Sequence, residues 1–254
     1  MARAAAANTL KPVMLECGGK SPQLVLDDVI DDPDIWGPIF FSSFWNSGQW
    51  CAAKTRLLVP RGKSDLAVRG LAEASRAWKV GNPTEAGTML GPLANRLQRD
   101  RVLEHFDRAA RDGEVVRLNC PKGAMHEEGC YAWPSVALGL PRGSAVAREE
   151  VFGPLATIEE FDDVDDAITL ANLSDYGLSA SVWTRRADLG HRLARGIDAG
   201  GITVCSSADA LAQALPELGS NRYFEPQKQS GYGVDGGLPG LLAYTRPQSV
   251  TILH

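Results

Sequence analysis

Residues 156–205 read ATIEEFDDVDDAITLANLSDYGLSASVWTRRADLGHRLARGIDAGGITVC. Three short runs in it, Ala156-Thr-Ile158, Leu178-Ser-Ala-Ser-Val-Trp183 and Gly201-Ile-Thr-Val-Cys205, are apolar or β-branched and predict strands. Between them lie Val164 to Leu173, behind the acidic run Asp162, Asp163, Asp165 and Asp166, and Ala187 to Ile197. Both intervening segments predict helices, the first with carboxylates at its positive end. Strand, helix, strand, helix, strand at this spacing predicts βαβ units and a mostly parallel sheet.

The same alternation extends upstream. Leu24-Val-Leu26 predicts a short buried strand and Asp31 to Trp50 a helix, with Ile35, Ile39, Phe40 and Phe44 on one face. Arg56-Leu-Leu-Val-Pro60 predicts a strand stopped by Pro60 and Gly62. Ser64 to Trp78 predicts a helix with Ser64 as its N-cap, Arg96 to Arg111 another, and Gly113 to Leu118 a strand. Beyond Pro216 the texture becomes Gly/Pro-rich, and Gln248 to Leu253 predicts a lone terminal strand. With no hairpin mate nearby, it is expected to join a sheet elsewhere, on another chain included.

At 254 residues the chain is about 1.7 domain equivalents, so one large α/β domain or a domain with an appendage both fit. It is 44% hydrophobic and 22% charged with a net charge of −5, an ordinary globular composition with no basic excess. Nucleic acid and anionic membrane are therefore not the expected partners. No apolar run approaches the roughly 20 residues of a spanning helix, and the first residues predict an alanine-rich helix rather than a secretory signal. The five cysteines are widely spaced and form no Cys-x-x-Cys or Cys/His cluster, so free thiols, a reducing, cytoplasmic setting and no metal site are expected.

Three places hold residues that can carry chemistry. Cys51 follows Gly48 in Asn46-Ser-Gly-Gln-Trp-Cys51, which suits a nucleophile approached closely by backbone, or else a half-buried inert thiol. Glu16 lies between an apolar stretch and Gly18-Gly19; apolar flanks would raise its pKa and make it a general base, and a surface or capping role is the alternative. Glu149 and Glu150 precede Val-Phe-Gly-Pro154, placed either to grip sugar hydroxyls or to form a solvated loop.

The ordered set Leu15-Glu-x-Gly-Gly-Lys-Ser-Pro22, Gly48-Gln-x-Cys51, Glu149-Glu-Val-Phe-Gly-Pro154 and Lys228-Gln-Ser-Gly-Tyr-Gly233 resembles the aldehyde dehydrogenase superfamily. Lys79-Val-Gly-Asn-Pro83, Leu90-Gly-Pro92, Ala171-Asn-x-Ser-Asp-Tyr-Gly-Leu178 and Tyr244-Thr-Arg-x-x-Ser249 also look like that family, from about Asn8 to Ile252. The resemblance implies the family's catalytic-domain fold: an open twisted, mostly parallel sheet with flanking helices, plus a C-terminal oligomerisation strand. It implies three parts: a remnant of the last helix and strand of a cofactor domain (1–18), the catalytic domain (19–216), and a loop segment with the oligomerisation strand (217–254).

Residue by residue, the family pattern makes Cys51 the thiolate that attacks an aldehyde carbonyl to give a thiohemiacetal, its backbone N–H helping to hold the oxyanion. Hydride transfer to NAD or NADP leaves a thioester, which water activated by Glu16 hydrolyses to the acid. Glu150 and Phe152 match positions holding the nicotinamide ribose and ring, and Lys20 belongs to the same cofactor-side signature. Phe224 lies near an aromatic of the aldehyde tunnel. No histidine neighbours the motif, consistent with a thiol activated by its environment. Cys17 stands in an aliphatic position and is expected to pack as a small hydrophobe, a disulfide with Cys51 being the alternative.

The matched segments belong to the family's second half. The strand, Gly-rich turn and helix that grip a pyrophosphate, an oxyanion-hole Asn and a ribose-binding Lys have no counterpart in these residues. Loss of one oxyanion donor costs on the order of 100- to 1000-fold in rate. Val204-Cys-Ser206 and Asn221-Arg-Tyr-Phe-Glu-Pro226 also depart from the pattern beside the active-site region. The expectation is an aldehyde-oxidising catalytic half, weak or inactive alone, as a homo-oligomer or with a separate chain supplying the cofactor domain. A non-catalytic relic or assembly scaffold and a cofactor-free thiol esterase are the alternatives.

Overall fold

In a computed structural model, residues 7–8, 11–126, 128–213 and 223–253 are described. The alanine-rich helix expected at the start and the boundary at Pro216 lie outside them.

The strands are β1 (Leu15–Glu16), β2 (Pro22–Val25), β3 (Arg56–Pro60), β4 (Glu114–Arg117), β5 (Ser135–Leu138), β6 (Leu155–Phe161), β7 (Tyr176–Gly177), β8 (Ser179–Trp183), β9 (Gly201–Cys205), β10 (Gln227–Lys228) and β11 (Gly231–Tyr232). The main helices are α1 (Trp36–Phe44), α2 (Ser64–Ala74), α3 (Arg96–Asp112), α4 (Ala145–Arg148), α5 (Val164–Ala171) and α6 (Ala187–Gly196). Seven strands form one sheet in the order β4-β5-β6-β3-β2-β8-β9, parallel throughout except for the edge pair β4–β5. The α/β architecture and the parallel sheet follow the sequence reading.

Both faces of the sheet are covered, which is why its central strands are apolar in runs rather than in alternation. Val25, Leu57 and Val59 pack against Ile35, Ile39, Phe40 and Phe44 of the α1 region. On the other face Leu24, Leu58 and Val182 meet Leu170 of α5 and Leu193 of α6. A third cluster joins Val102 and Ala109 of α3 to Val146, Val151 and Leu155. Buried Arg56 is satisfied by Glu159 at 3.1 Å and by the carbonyls of Leu170 (2.9 Å) and Ala171 (3.3 Å). An unpaired guanidinium in that position would be strongly destabilising.

Several sequence expectations are corrected. The helix read over Asp31 to Trp50 is a 3-10 turn at Pro33–Ile35 followed by α1, which ends at Phe44 because Asn46, Ser47 and Gly48 take left-handed backbone angles. Ser64 does not cap α2. Lys63 holds that position without a side-chain bond, and the N–H and Oγ of Ser64 both donate to Glu160 Oε1. The Gly113 to Leu118 strand shortens to β4, and the four-residue β5 escaped the pattern reading altogether. The strand read over Gln248 to Leu253 is absent: residues 248–253 form no strand among the described residues and are exposed.

The two short pairs position the site. β1 pairs antiparallel with β11, Glu16 opposite Gly231, and β7 with β10. The segment after residue 222 thus folds back onto the residues preceding β2.

Candidate active site

Cys51 comes to its place through an abrupt turn. Asn46 (φ 53°), Ser47 (φ 56°) and Gly48 (φ 73°) are consecutively left-handed. For the two non-glycine residues this is a strained choice, held by Ser47 Oγ donating to Gly91 O at 2.7 Å and Asn46 Nδ2 donating to Gln49 O at 3.0 Å. Gly48 has no alternative: a Cβ there would collide with the carbonyl of Gly153. The turn therefore presses the cysteine loop against the loop carrying Phe152.

On the other side runs Glu16-Cys-Gly-Gly-Lys20. A Cβ on Gly19 would strike the carbonyl of Cys51, and one on Gly18 would strike the Glu150 carboxylate. Gly19 N–H donates to Glu150 Oε1 at 2.9 Å. The two glycines form a thin floor between nucleophile and carboxylate, and only residues without a side chain fit there. Four segments far apart in sequence, around residues 16, 51, 150 and 230, meet at this floor.

Phe152 is left-handed (φ 50°) and 38% exposed, an aromatic face turned to solvent on strained backbone. Gln98 Nε2 holds its carbonyl at 2.8 Å and that of Val151 at 3.3 Å, while Gly153 packs on Val102. α3 thereby clamps the loop.

Electrostatics assign the groups their states. Glu16 is exposed, yet partial loss of hydration, with the like charge of Asp235, pushes its carboxyl up, in the direction the sequence suggested, although Asp235 was not foreseen. Burial also raises Glu150, opposed by the Gly19 N–H and the Lys20 ammonium. The half-buried Cys51 thiol is raised first by burial and then by Glu16 and Glu150, against the Ala52 N–H, which favours the thiolate. Cys51 is therefore held as a protonated thiol beside two carboxylates.

Lys20 is 1% exposed, and its Nζ has no hydrogen-bond partner among the described residues. Burial, then the Arg56 charge, brings it down to about 7, against the opposing pull of Glu159, Glu150 and Glu149. It reaches Glu150 electrostatically from inside the fold rather than presenting its amine at the surface. Cys17 corrects the sequence reading. It is exposed rather than packed, and lines a polar cavity of about 510 Å³ with Arg148, Glu149, Asp175 and Tyr176. Phe224 exchanges backbone hydrogen bonds with Asp235, the residue acting on Glu16.

Beside the cysteine loop opens an apolar cavity of about 680 Å³ whose walls include Phe41, Trp50, Trp78, Trp183 and Cys205. Trp50 precedes the cysteine and meets Trp45 edge-on at 5.5 Å. The sequence reading passed over this aromatic wall because its members come from three separate segments.

The donor set fits a nicotinamide riboside end: a carboxylate to accept hydroxyl protons, an aromatic face on a clamped loop, and a glycine floor that admits close approach. Residues 1–250 match the model of the aldehyde dehydrogenase family. An aldehyde dehydrogenase of Emericella nidulans is 36% identical over 98% of this chain and 48% of its own length. A betaine aldehyde dehydrogenase of Sinorhizobium fredii is 33% identical over 98% of this chain and 50% of its own. Among solved structures, the aldehyde dehydrogenase KauB from Pseudomonas aeruginosa superposes with a TM-score of 0.83 at 32% identity, over 96% of this chain and 48% of that one. The indole-3-acetaldehyde dehydrogenase AldA of P. syringae, a mutant in complex with NAD+ and IAA, gives a TM-score of 0.83 at 31% identity over the same shares. The chain spans about half the length of the curated relatives it matches.

Proposed function

The chain belongs to the aldehyde dehydrogenase family, and we propose that it carries the reacting groups for oxidation of an aldehyde to a carboxylic acid with NAD or NADP. The observation that carries the reading is the glycine floor of Gly18 and Gly19, which admits the Cys51 backbone on one side and the Glu150 carboxylate on the other.

Cys51 Sγ is the nucleophile that adds to the carbonyl carbon, with the Cys51 N–H set to steady the oxygen that becomes negative. Burial, and then the neighbouring carboxylates, keep the sulfur protonated at rest, so its proton leaves as the bond forms; Glu16 takes that proton and releases it to solvent before the acyl group is hydrolysed. A bound nicotinamide dinucleotide supplies the hydride acceptor. Glu150 would hold the ribose hydroxyls by accepting their hydrogen bonds, and Phe152 would offer its face to the ring. Once Cys51 carries the acyl group as a thioester, Glu16, held up in pKa by burial and Asp235, removes a proton from the water that attacks it. The cavity bounded by Trp50, Phe41 and Trp78 is where the rest of the aldehyde lies, which favours an apolar or aromatic substrate.

The test is the alkylation rate of Cys51, followed by mass spectrometry with and without NAD or NADP. A cofactor-dependent change that disappears in Glu150→Gln supports the reading, and an identical rate under both conditions removes the cofactor assignment.

A further inference from the structure

The peptide unit joining Gly18 to Gly19 is held at both ends. Its N–H donates to Glu150 Oε1 at 2.9 Å. Its carbonyl accepts from Ser230 Oγ at 2.8 Å, across 212 residues of sequence. Ser230 Oγ in turn accepts from Gly177 N–H at 3.0 Å. A serine hydroxyl has one proton and two lone pairs, so donating to Gly18 leaves it free to accept from Gly177, and the direction of the whole chain is fixed.

Ser230 is itself anchored. It is fully buried, its carbonyl accepts from Cys17 N–H at 2.9 Å, and its neighbour Gly231 pairs with Glu16 in the β1–β11 ladder. Gly177 lies in β7, whose partner β10 ends two residues before Ser230. The run Gly177 N–H to Ser230 O–H to the Gly18–Gly19 amide to the Glu150 carboxylate is continuous. In such a run each bond polarises the next, because an amide whose oxygen accepts a hydrogen bond becomes a better donor at nitrogen. The Gly19 N–H already favours the ionised carboxylate against the effect of burial. Ser230, which does not touch Glu150, strengthens that donor and fixes where it points.

We propose that Ser230 is a positioning residue for Glu150, acting through the Gly18–Gly19 peptide, and that the hydroxyl rather than the bulk of the side chain performs this role. The hydrogen-bond relay stands on the geometry. Its consequence for a nicotinamide ribose rests on the role given to Glu150 above.

The experiment compares the 254-residue chain with Ser230→Ala and Ser230→Thr by NMR, following the Gly19 and Gly177 amides and the side-chain carboxyl carbon of Glu150, assigned through Glu150→Gln. Ser230→Ala is expected to speed exchange of the Gly19 amide on the order of five- to tenfold, the equivalent of one hydrogen bond, and to raise the Glu150 titration midpoint. Ser230→Thr, which restores the hydroxyl, is expected to return both. Should the threonine methyl prevent folding, Ser230→Cys replaces it, and an intermediate shift is expected from its weaker donor. A folded Ser230→Ala chain with unchanged Gly19 exchange and Glu150 midpoint overturns the proposal. A loss of thermal stability alone, with both signals unmoved, assigns Ser230 a structural role and also overturns it. If NAD or NADP leaves Cys51 alkylation unaltered while these signals shift, the cofactor reading fails and the relay stands.

Discussion

Cys51, Glu16 and Glu150 share one electrostatic environment, and each variant reports on its neighbours. Because both carboxylates raise the Cys51 thiol, Glu16→Gln or Glu150→Gln is expected to lower the pH at which Cys51 becomes a thiolate, measured as the midpoint of its alkylation rate against pH. A midpoint unmoved by either change contradicts their proximity. Lys20 gives a second pH signature. Its folded-state value of about 7 lies below the ordinary 10.5, so between those values the unfolded chain binds more protons than the folded one. Stability from this group is full above about pH 10.5 and is lost as pH falls towards 7. Lys20→Met is expected to flatten that part of the stability curve in urea titrations, and a curve of unchanged slope contradicts the assignment. The sequence made Cys51, Glu16, Glu150 and Phe152 legible through motif order. It did not show that Lys20 points inward, because Lys20 precedes β2 in a wholly buried run whose covering neighbours come from distant segments. Ser230 stood in a matched motif without a role and Asp235 was not foreseen, since Gly18 and Glu16, on which they act, lie more than 200 residues away along the chain.

At the scale of elements, the site depends on two loops pressed together, the left-handed turn before Cys51 and the clamped loop at Phe152. Gln98 on α3 supplies two hydrogen bonds to the second loop. Gln98→Ala is expected to cost about 1–3 kcal/mol and to release the strained Phe152 backbone, read as a lower urea midpoint with faster amide exchange confined to residues 151–154. Destabilisation spread evenly over the sheet contradicts the clamp. Gly48→Ala meets the Gly153 carbonyl directly, and is expected to slow Cys51 chemistry more than it lowers Tm. Elements with a long amphipathic period, such as α1 and α3, were readable in the sequence because one buried face repeats. The end of α1 was not. Asn46 and Ser47 take up φ > 0 without a glycine to announce it, and α2 is capped by Glu160 from β6, a partner no local pattern reveals.

At the scale of the whole molecule, among the described residues β9 is the last strand of its sheet and the apolar tail at 248–253 pairs with no strand. β9 ends the sheet with Val204 exposed, and Val250, Ile252 and Leu253 lie in the solvent, Leu253 at 90%. An edge and a tail of this kind are complementary between copies of the chain, and self-association is the expected result. Sedimentation velocity is expected to find oligomers that dissociate in a Val250→Asp, Ile252→Asp double variant; a monomeric wild type contradicts this. The central claim concerns the reacting groups, and a chemically activated ester tests it without a dinucleotide, because ester acyl transfer needs only the nucleophile and the base. The decisive measurement is the time course of acyl-Cys51 by intact-mass and peptide mass spectrometry after exposure to such an ester. The account predicts that wild type acquires and then loses the acyl group, that Cys51→Ala never acquires it at that peptide, and that Glu16→Gln traps it with hydrolysis slowed on the order of 100-fold or more. Equal rates of acyl loss in wild type and Glu16→Gln, or no acylation at Cys51, would contradict it.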